Sequence, residues 1–333
     1  MSLVNETSRR LRILTQAKAC DYQIRKMIKL TFKILFLIFL FCLFRTDAYP
    51  IHTGADFLKF GIGARPSAMG EASVSLHSDV TSAYWNPAGL AKIKTVQCGA
   101  MYSEAVKDAF LNFFGLAVPV KGWGTYEVSG VLLFNTPIPV TGDDDKTLGY
   151  LKWSDWAVTL SYGKEVIKSL SFGLGFKVIH RKESDPIFGT TKGTAYSGDF
   201  GFIYEFPFTK GLNLGCSLLN VGTKLQMEGE IKKDDLPRTI RLGLSYNRDP
   251  WIITSDINKV LDDQWHIHIG GEHKFKDNIF IRFGYYEKAG NVKGVTYGMG
   301  IKLKNYQFDW ANVPAGELIG YTRDNKISII IHF

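Results

Sequence analysis

The sequence predicts an all-β fold, a transmembrane antiparallel β-barrel of about fourteen strands with an N-terminal hatch in its lumen. Three observations carry this. From Thr95 to the last residue, about fourteen runs alternate apolar and polar residues, the period-two mark of a strand with one apolar face. Many of these runs reach about 9–11 residues, the length that crosses a bilayer at a tilt, where soluble strands average about 5–6. Aromatic residues sit at the run ends, as an interfacial girdle requires: Tyr162, Tyr204, Tyr246, Trp251, Trp265, Tyr285, Tyr286 and Trp310. A soluble periplasmic sandwich writes similar alternation, but length and girdle favour the barrel.

The chain has 333 residues and a formal charge of +8, and that charge is unevenly placed. Residues 1–48 hold nine Lys/Arg against three acids, which leaves a net of +2 for the rest. No clustered basic face remains to track phosphates, so nucleic acid is excluded as a partner. The basic segment reads instead as an extension followed by a secretory signal peptide, removed in the mature chain. Lys29 and Lys33 precede an apolar run from Ile34 to Phe44, and Thr46-Asp47-Ala48 places small residues at a cleavage site. The start could be Met1 or Met27. Once residues 1–48 are gone, Cys98 and Cys216 remain, which is no disulfide framework.

Residues 49–94 differ in character, being rich in Gly, Ala and Ser with short hydrophobic stretches. Asp79 is a candidate N-cap for a helix over 79–91, and Pro87 turns Asn86 away from the helical conformation. A compact, kinked segment of this size needs a host, and the lumen of the following barrel supplies one.

The strand runs follow over residues 95–333. Their apolar parity is carried first by Val96, Cys98, Ala100 and Tyr102, then by Leu111 and Phe113, then by Val128 to Phe134. Later runs include Trp156 to Tyr162, Tyr196 to Tyr204, Leu212 to Leu218, Ile240 to Tyr246 and Ile279 to Tyr285. In LSFGLGFKV, Leu170, Phe172, Leu174, Phe176 and Val178 face one way, and Ser171, Gly173, Gly175 and Lys177 the other. Apolar side chains are expected to face lipid. The opposite parity mixes charge with glycine (Gly173, Gly175, Gly201, Gly243, Gly284, Gly298 and Gly300), which lets a plug pack closely against the wall. The final run, with Ile329, Ile331 and terminal Phe333, resembles the signal that barrel-assembly machinery reads.

The segment GARPSAMGEASVSLHSDVTSAYWNPAGLA, with Asn86-Pro87-Ala88 continuing as Gly89-Leu90, resembles the N-terminal hatch of FadL-type and PorV/PorQ-type outer-membrane proteins. The closing segment, with Val313-Pro314-Ala315-Gly316-Glu317-Leu318 and then Ile319 before Gly320, resembles the PorV/PorQ branch with a one-residue departure. Arg323 stands there without the His that usually precedes it. The resemblance implies a fourteen-stranded barrel plugged by its hatch. In the FadL branch hydrophobic substrates such as long-chain fatty acids cross the outer membrane. In the PorV/PorQ branch the barrel serves protein secretion and surface attachment.

Other chemistry is weakly signalled. His266, His268 and Glu272 share a strand face and could meet a metal ion, but a polar lumen-facing strand explains them. Asp143, Asp144 and Asp145 read as a solvated turn tip. GIGARPSAMG lacks the strand, the basic residue and the spacing of a phosphate loop, and no nucleophile triad has a local signature. No metal, cofactor or enzymatic step is therefore expected. The expectation is a monomeric outer-membrane channel taking up fatty-acid-like molecules by hatch-gated diffusion, in contact with outer-membrane lipid and the barrel-assembly machinery. The hatch motif is Asn86, Pro87, Ala88 and Gly89. The alternative is a PorV/PorQ-type accessory or shuttle barrel for secreted proteins.

Overall fold

The computed structural model describes residues 53–333 apart from 78, 107, 262, 277, 289–291 and 316–322. The signal peptide, its cleavage site, and Gly316 to Gly320 of the closing motif lie outside the described residues.

The strands are β1 (Gln97–Val106), β2 (Ala109–Val120), β3 (Gly124–Asn135), β4 (Ile138–Thr141), β5 (Thr147–Ile167), β6 (Leu170–Asp185), β7 (Gly189–Glu205) and β8 (Leu212–Gly222). They continue as β9 (Thr239–Arg248), β10 (Trp251–Val260), β11 (Trp265–Phe275), β12 (Ile279–Glu287), β13 (Lys293–Leu303), β14 (Tyr306–Pro314) and β15 (Arg323–His332). Each pairs antiparallel with its neighbours in sequence, except that β3 joins β5 directly and β4 pairs only with the outer part of β5. The ring closes where β1 meets β15, from Gln97 opposite His332 to Ser103 opposite Lys326. Fourteen strands form a closed antiparallel barrel, and β4 is a flap beyond it. A closed ring leaves no unpaired edge in the hydrocarbon, which is the condition for a sheet to span a membrane.

Parity decides the two faces. On β6, Phe172, Leu174 and Phe176 are exposed on the outer surface, while Ser171 and Lys177 are buried inside. From Leu170 to Val178 the outward apolar run, at about 3.3 Å per residue and a tilt near 40°, rises roughly 20 Å, close to the band of outer-membrane barrels. The same pattern runs round the ring, with Phe200, Ile240, Ile253, Ile281, Met299 and Phe308 all exposed. With lipid as their solvent, these side chains place the barrel in the outer membrane. Cys98 and Cys216 both lie on this outward parity and are free.

Two expectations about parity are corrected. Leu111 and Phe113 of β2 are fully buried in the lumen, and the outward residues there are Phe114, Leu116 and Val118. Both parities of β2 are apolar, so alternation alone could not orient the strand. Tyr286 likewise turns inward and is buried, its hydroxyl donating to the carbonyl of Pro314. Tyr285 takes the outward position.

One end of the barrel carries short connections, such as Lys168-Ser169, Asp249-Pro250 and Lys304-Asn305. The other end carries the β4 flap and the 223–238 connection. Bacterial barrels keep short turns on the periplasmic side, so the second end faces outward. There β5, β6 and β7, with 21, 16 and 17 residues, rise past the other strands.

Candidate functional site

The described residues ahead of β1 descend through the lumen from the outer end to the periplasmic end. At the top, Arg181 Nη1 donates to Gly54 O at 3.0 Å, and Gly54 N donates to Asp235 O in the 223–238 connection at 3.0 Å. Short turns follow, including the helix Ala64–Ala68 and the helix Ser82–Trp85. The expected helix over 79–91 does not form as one piece. Asp79 folds an Asx turn, its Oδ1 accepting from Thr81 N at 2.9 Å, and the helix that follows stops at Asn86.

Asn86 is extended, with φ −161° and ψ 111°, and it caps a 3₁₀ segment over Pro87–Lys92. Its Oδ1 accepts from Ala88 N at 3.0 Å, while Pro87 fills the first position, where a missing N–H costs nothing. Its Nδ2 donates to Val74 O at 2.7 Å, and at 3.1 and 3.3 Å to Phe202 O and Cys216 O on β7 and β8. One amide thus ties two parts of the hatch to two strands of the wall. Gly89, the last residue of the motif, lies against Ser82 with no room for a Cβ.

The wall is bared where the hatch touches it. A Cβ on Gly173 would strike Pro87 and Ala88, on Gly215 Val74 and Ser75, on Gly270 Met69, on Gly284 Met69 and Gly70, and on Gly298 Ala68. Gly175 and Gly300 differ: their neighbours are wall side chains, Asp199 and Ser161 for the first, Asp309 and Arg282 for the second.

The lumen is unevenly furnished. Its outer part beside β1–β7 is apolar: Phe57, Leu58 and Ile62 of the hatch pack with Met101, Leu111, Phe113, Val131 and Leu133, under Leu225 and Leu236 of the 223–238 connection. Ion pairs interrupt this side, among them Arg181 with Asp155 at 3.0 Å and Lys177 with Asp199 at 3.1 Å. The side beside β10–β15 is ionic. Arg282 Nε donates to Glu272 at 2.6 Å and its Nη1 to Asp309 at 2.7 Å. Arg65 of the hatch reaches the same Glu272 at 2.9 and 3.1 Å and Asp79 at 3.1 Å. Lys326 Nζ donates to Gly61 O at 2.8 Å, and Lys288 pairs with Glu71. Near the periplasmic end Lys92 meets Glu165 at 2.6 Å and Glu205 at 2.7 Å. Burial opposes its charge, yet the two carboxylates outweigh that and hold the Lys92 ammonium above its ordinary pKa.

His268 and Glu272 do share the lumen face, as their spacing predicts, but their polar atoms are engaged in the protein. His268 Nδ1 lies 2.7 Å from Gly70 O and its Nε2 2.8 Å from Asn258 Nδ2. His266 Nε2 sits 3.0 Å from Asp263. Among the described residues no group of three or more His, Cys, Asp or Glu is placed to hold a metal ion. Asp143 to Asp145 lie in an exposed turn. Ile329 and Ile331 lie on the outward parity of β15, and Phe333 N donates to Val96 O at 2.8 Å across the seam.

Solved structures share this architecture. The toluene transporter TodX of Pseudomonas putida superposes with a TM-score of 0.59 at 12% identity, over 86% of this chain and 98% of that one. The fold is that of a FadL-type barrel. A FadL homologue of Pseudomonas aeruginosa gives 0.56 at 13% identity, over 86% of this chain and 100% of that one. The monoaromatic hydrocarbon channel CymD gives 0.60 at 12% identity, over 82% and 98%. No protein-family model and no curated protein matches the sequence significantly. At these identities the FadL-type likeness is one of fold.

The sequence missed the ionic ladder. Arg65, Glu272, Arg282 and Asp309 are spread over 244 residues, and each occupies an ordinary polar place in its own run. The available signal was a lumen parity carrying charge on β11, β12, β14 and β15 together.

Proposed function

We propose that this barrel admits hydrophobic small molecules across the outer membrane, long-chain fatty acids among them, by diffusion that the hatch gates. The observation that carries the reading is the apolar cluster at the outer end of the lumen, where Phe57 and Leu58 sit among Leu111, Phe113 and Leu133 beneath Leu225 and Leu236. A greasy molecule entering there exchanges contacts with side chains of its own kind, and shifting the Asp56–Lys59 turn opens room. The opposite, ionic side keeps the rest of the hatch seated meanwhile. TodX, a toluene transporter, and CymD, a monoaromatic hydrocarbon channel, have the same fold and support this reading. No bond-making step is part of it. The barrel works as a monomer, surrounded by outer-membrane lipid and inserted by the barrel-assembly machinery through its last strand.

The test is uptake of a fluorescent long-chain fatty acid and of toluene into liposomes holding the barrel. Wild type should pass at least one, and removal of residues 53–92 should raise leakage of both. Liposomes no more permeable than empty ones would sink the proposal. A second reading, an accessory barrel for secreted proteins, has its own support in the raised β5–β7 sheet, whose tip exposes Ile187 and Phe188. Copurified fatty acid favours the first reading; a stable protein partner with an empty lumen favours the second.

A further inference from the structure

The outward face of β5, β6 and β7 repeats one gradient three times. At the top of the apolar band stand Tyr196, level with Val178, and one step higher Trp156 and His180; above those come Lys152, Lys182 and Lys192. Trp156 and His180 pack with ring centroids 5.2 Å apart, and His180 Nδ1 lies 2.9 Å from Thr194 Oγ1. The register places Lys182 directly opposite Lys192, and Lys152 one step diagonal from Lys182, opposite Ser184. Directly opposed side chains on an antiparallel pair have Cβ atoms about 5 Å apart, and like charges there repel. The nearby acids do little to neutralise the group. Asp155 faces inward to Arg181, Glu183 lies on the inward parity opposite Trp153, and Glu228 reaches only Lys192, at 3.6 Å.

Height fixes what such a cluster meets. Lys182 is four residues above Val178, about 9 Å along the membrane normal at a 45° tilt. That is the level of a headgroup layer roughly 5–8 Å deep, within a lysine's reach. The wall at this level still encloses the hatch, because the adjacent Arg181 bonds Gly54 O inside.

We infer that Lys152, Lys182 and Lys192 form a site for the phosphate of an anionic lipid in the outer leaflet. One phosphate set between Lys182 and Lys192 converts their repulsion into two charge-assisted bonds. The acyl chains of the same lipid then lie along Val158, Val178 and Phe176, and Trp156 and Tyr196 occupy the interface.

The experiment titrates the barrel in neutral detergent with diphosphorylated lipid A, and separately with the same lipid stripped of phosphate, reading bound lipid by native mass spectrometry. The expected result is at least tenfold preference for the phosphorylated lipid. Lys182→Gln/Lys192→Gln should erase that preference while keeping the folded gel mobility, and Lys182→Arg/Lys192→Arg should keep it. Should the glutamine pair fail to fold, Lys152→Gln carries the comparison, with a several-fold loss expected. Equal binding of both lipids, an unchanged preference in the glutamine variant, or displacement of the lipid by equimolar inorganic phosphate would overturn the inference.

Discussion

Gly201 on β7 and Asn86 of the hatch divide a space that one methyl group would fill: a Cβ on Gly201 would collide with Asn86 Oδ1, the atom that caps Ala88 N. Gly201→Ala should therefore push the hatch off β7 and cost about 1–3 kcal/mol, the range for overpacking a tight interior. Urea unfolding in lipid gives the energy, and protease cleavage within residues 53–92 gives the displacement. Wild-type values in both would remove the steric seat from the account.

Asn86 itself separates two contributions. Asn86→Ala removes the cap, worth about 0.5–2 kcal/mol, and leaves three carbonyl oxygens without their shared donor. Asn86→Asp keeps the capping oxygen but points a second oxygen at Val74 O, Phe202 O and Cys216 O. The aspartate should be the more damaging of the two by unfolding. The reverse order would mean that the donor side of the amide is idle.

Arg282 stands between Glu272 and Asp309 with 1% of its side chain exposed. Arg282→Met leaves two buried carboxylates short of a partner and should cost about 3–5 kcal/mol. Replacing the acids as well, with Glu272→Gln and Asp309→Asn, should recover part of it. A single variant as stable as wild type would show that water reaches the ladder.

Leu174 and Phe113 test the wall from its two sides. Leu174→Lys places charge against lipid and should cost about 2–4 kcal/mol near mid-membrane, read from unfolding in bilayers of known thickness. Phe113→Lys places it in the apolar cluster and should loosen the hatch, read as protease cleavage. If Leu174→Lys behaves like a solvent-facing change, the wall is not in hydrocarbon; if Phe113→Lys does, the hatch does not rest on this cluster.

Lys92 gives a dependence on pH. Its pKa is raised in the folded state, so the stability it contributes is complete below about pH 10.4, the unfolded value, and fades as pH climbs through the folded one. Hatch cleavage by protease should stay flat through neutral pH and rise only in strong alkali. Lys92→Met should show the higher cleavage through neutral pH and converge with wild type in strong alkali. A step near pH 6 would point to another group.

Most of the cylinder was legible because lipid imposes a simple rule on alternate residues. Each of the fourteen runs corresponds to one strand of the ring. The rule fails where both parities are apolar. Leu111 and Phe113 face the hatch because Phe57 and Leu58 need apolar neighbours, and that demand comes from a segment about fifty residues earlier. The Asn86 turn was readable from Pro87 alone, since the ring restricts its predecessor. Its grip on Phe202 and Cys216 was not, because main-chain carbonyls carry no sequence signature. The ionic ladder was hidden for the opposite reason, as every member looks like an ordinary polar position until the ring brings four strands and the hatch together.

The bare glycine positions have one more consequence. They match the contour of the segment within, so cylinder and filling amount to one mould and its cast, recorded in two stretches of the same polypeptide. A different plug would not fit this pipe, nor this plug another pipe. Exchanging inserts between barrels of this shape therefore requires carrying the matching hollows along with them.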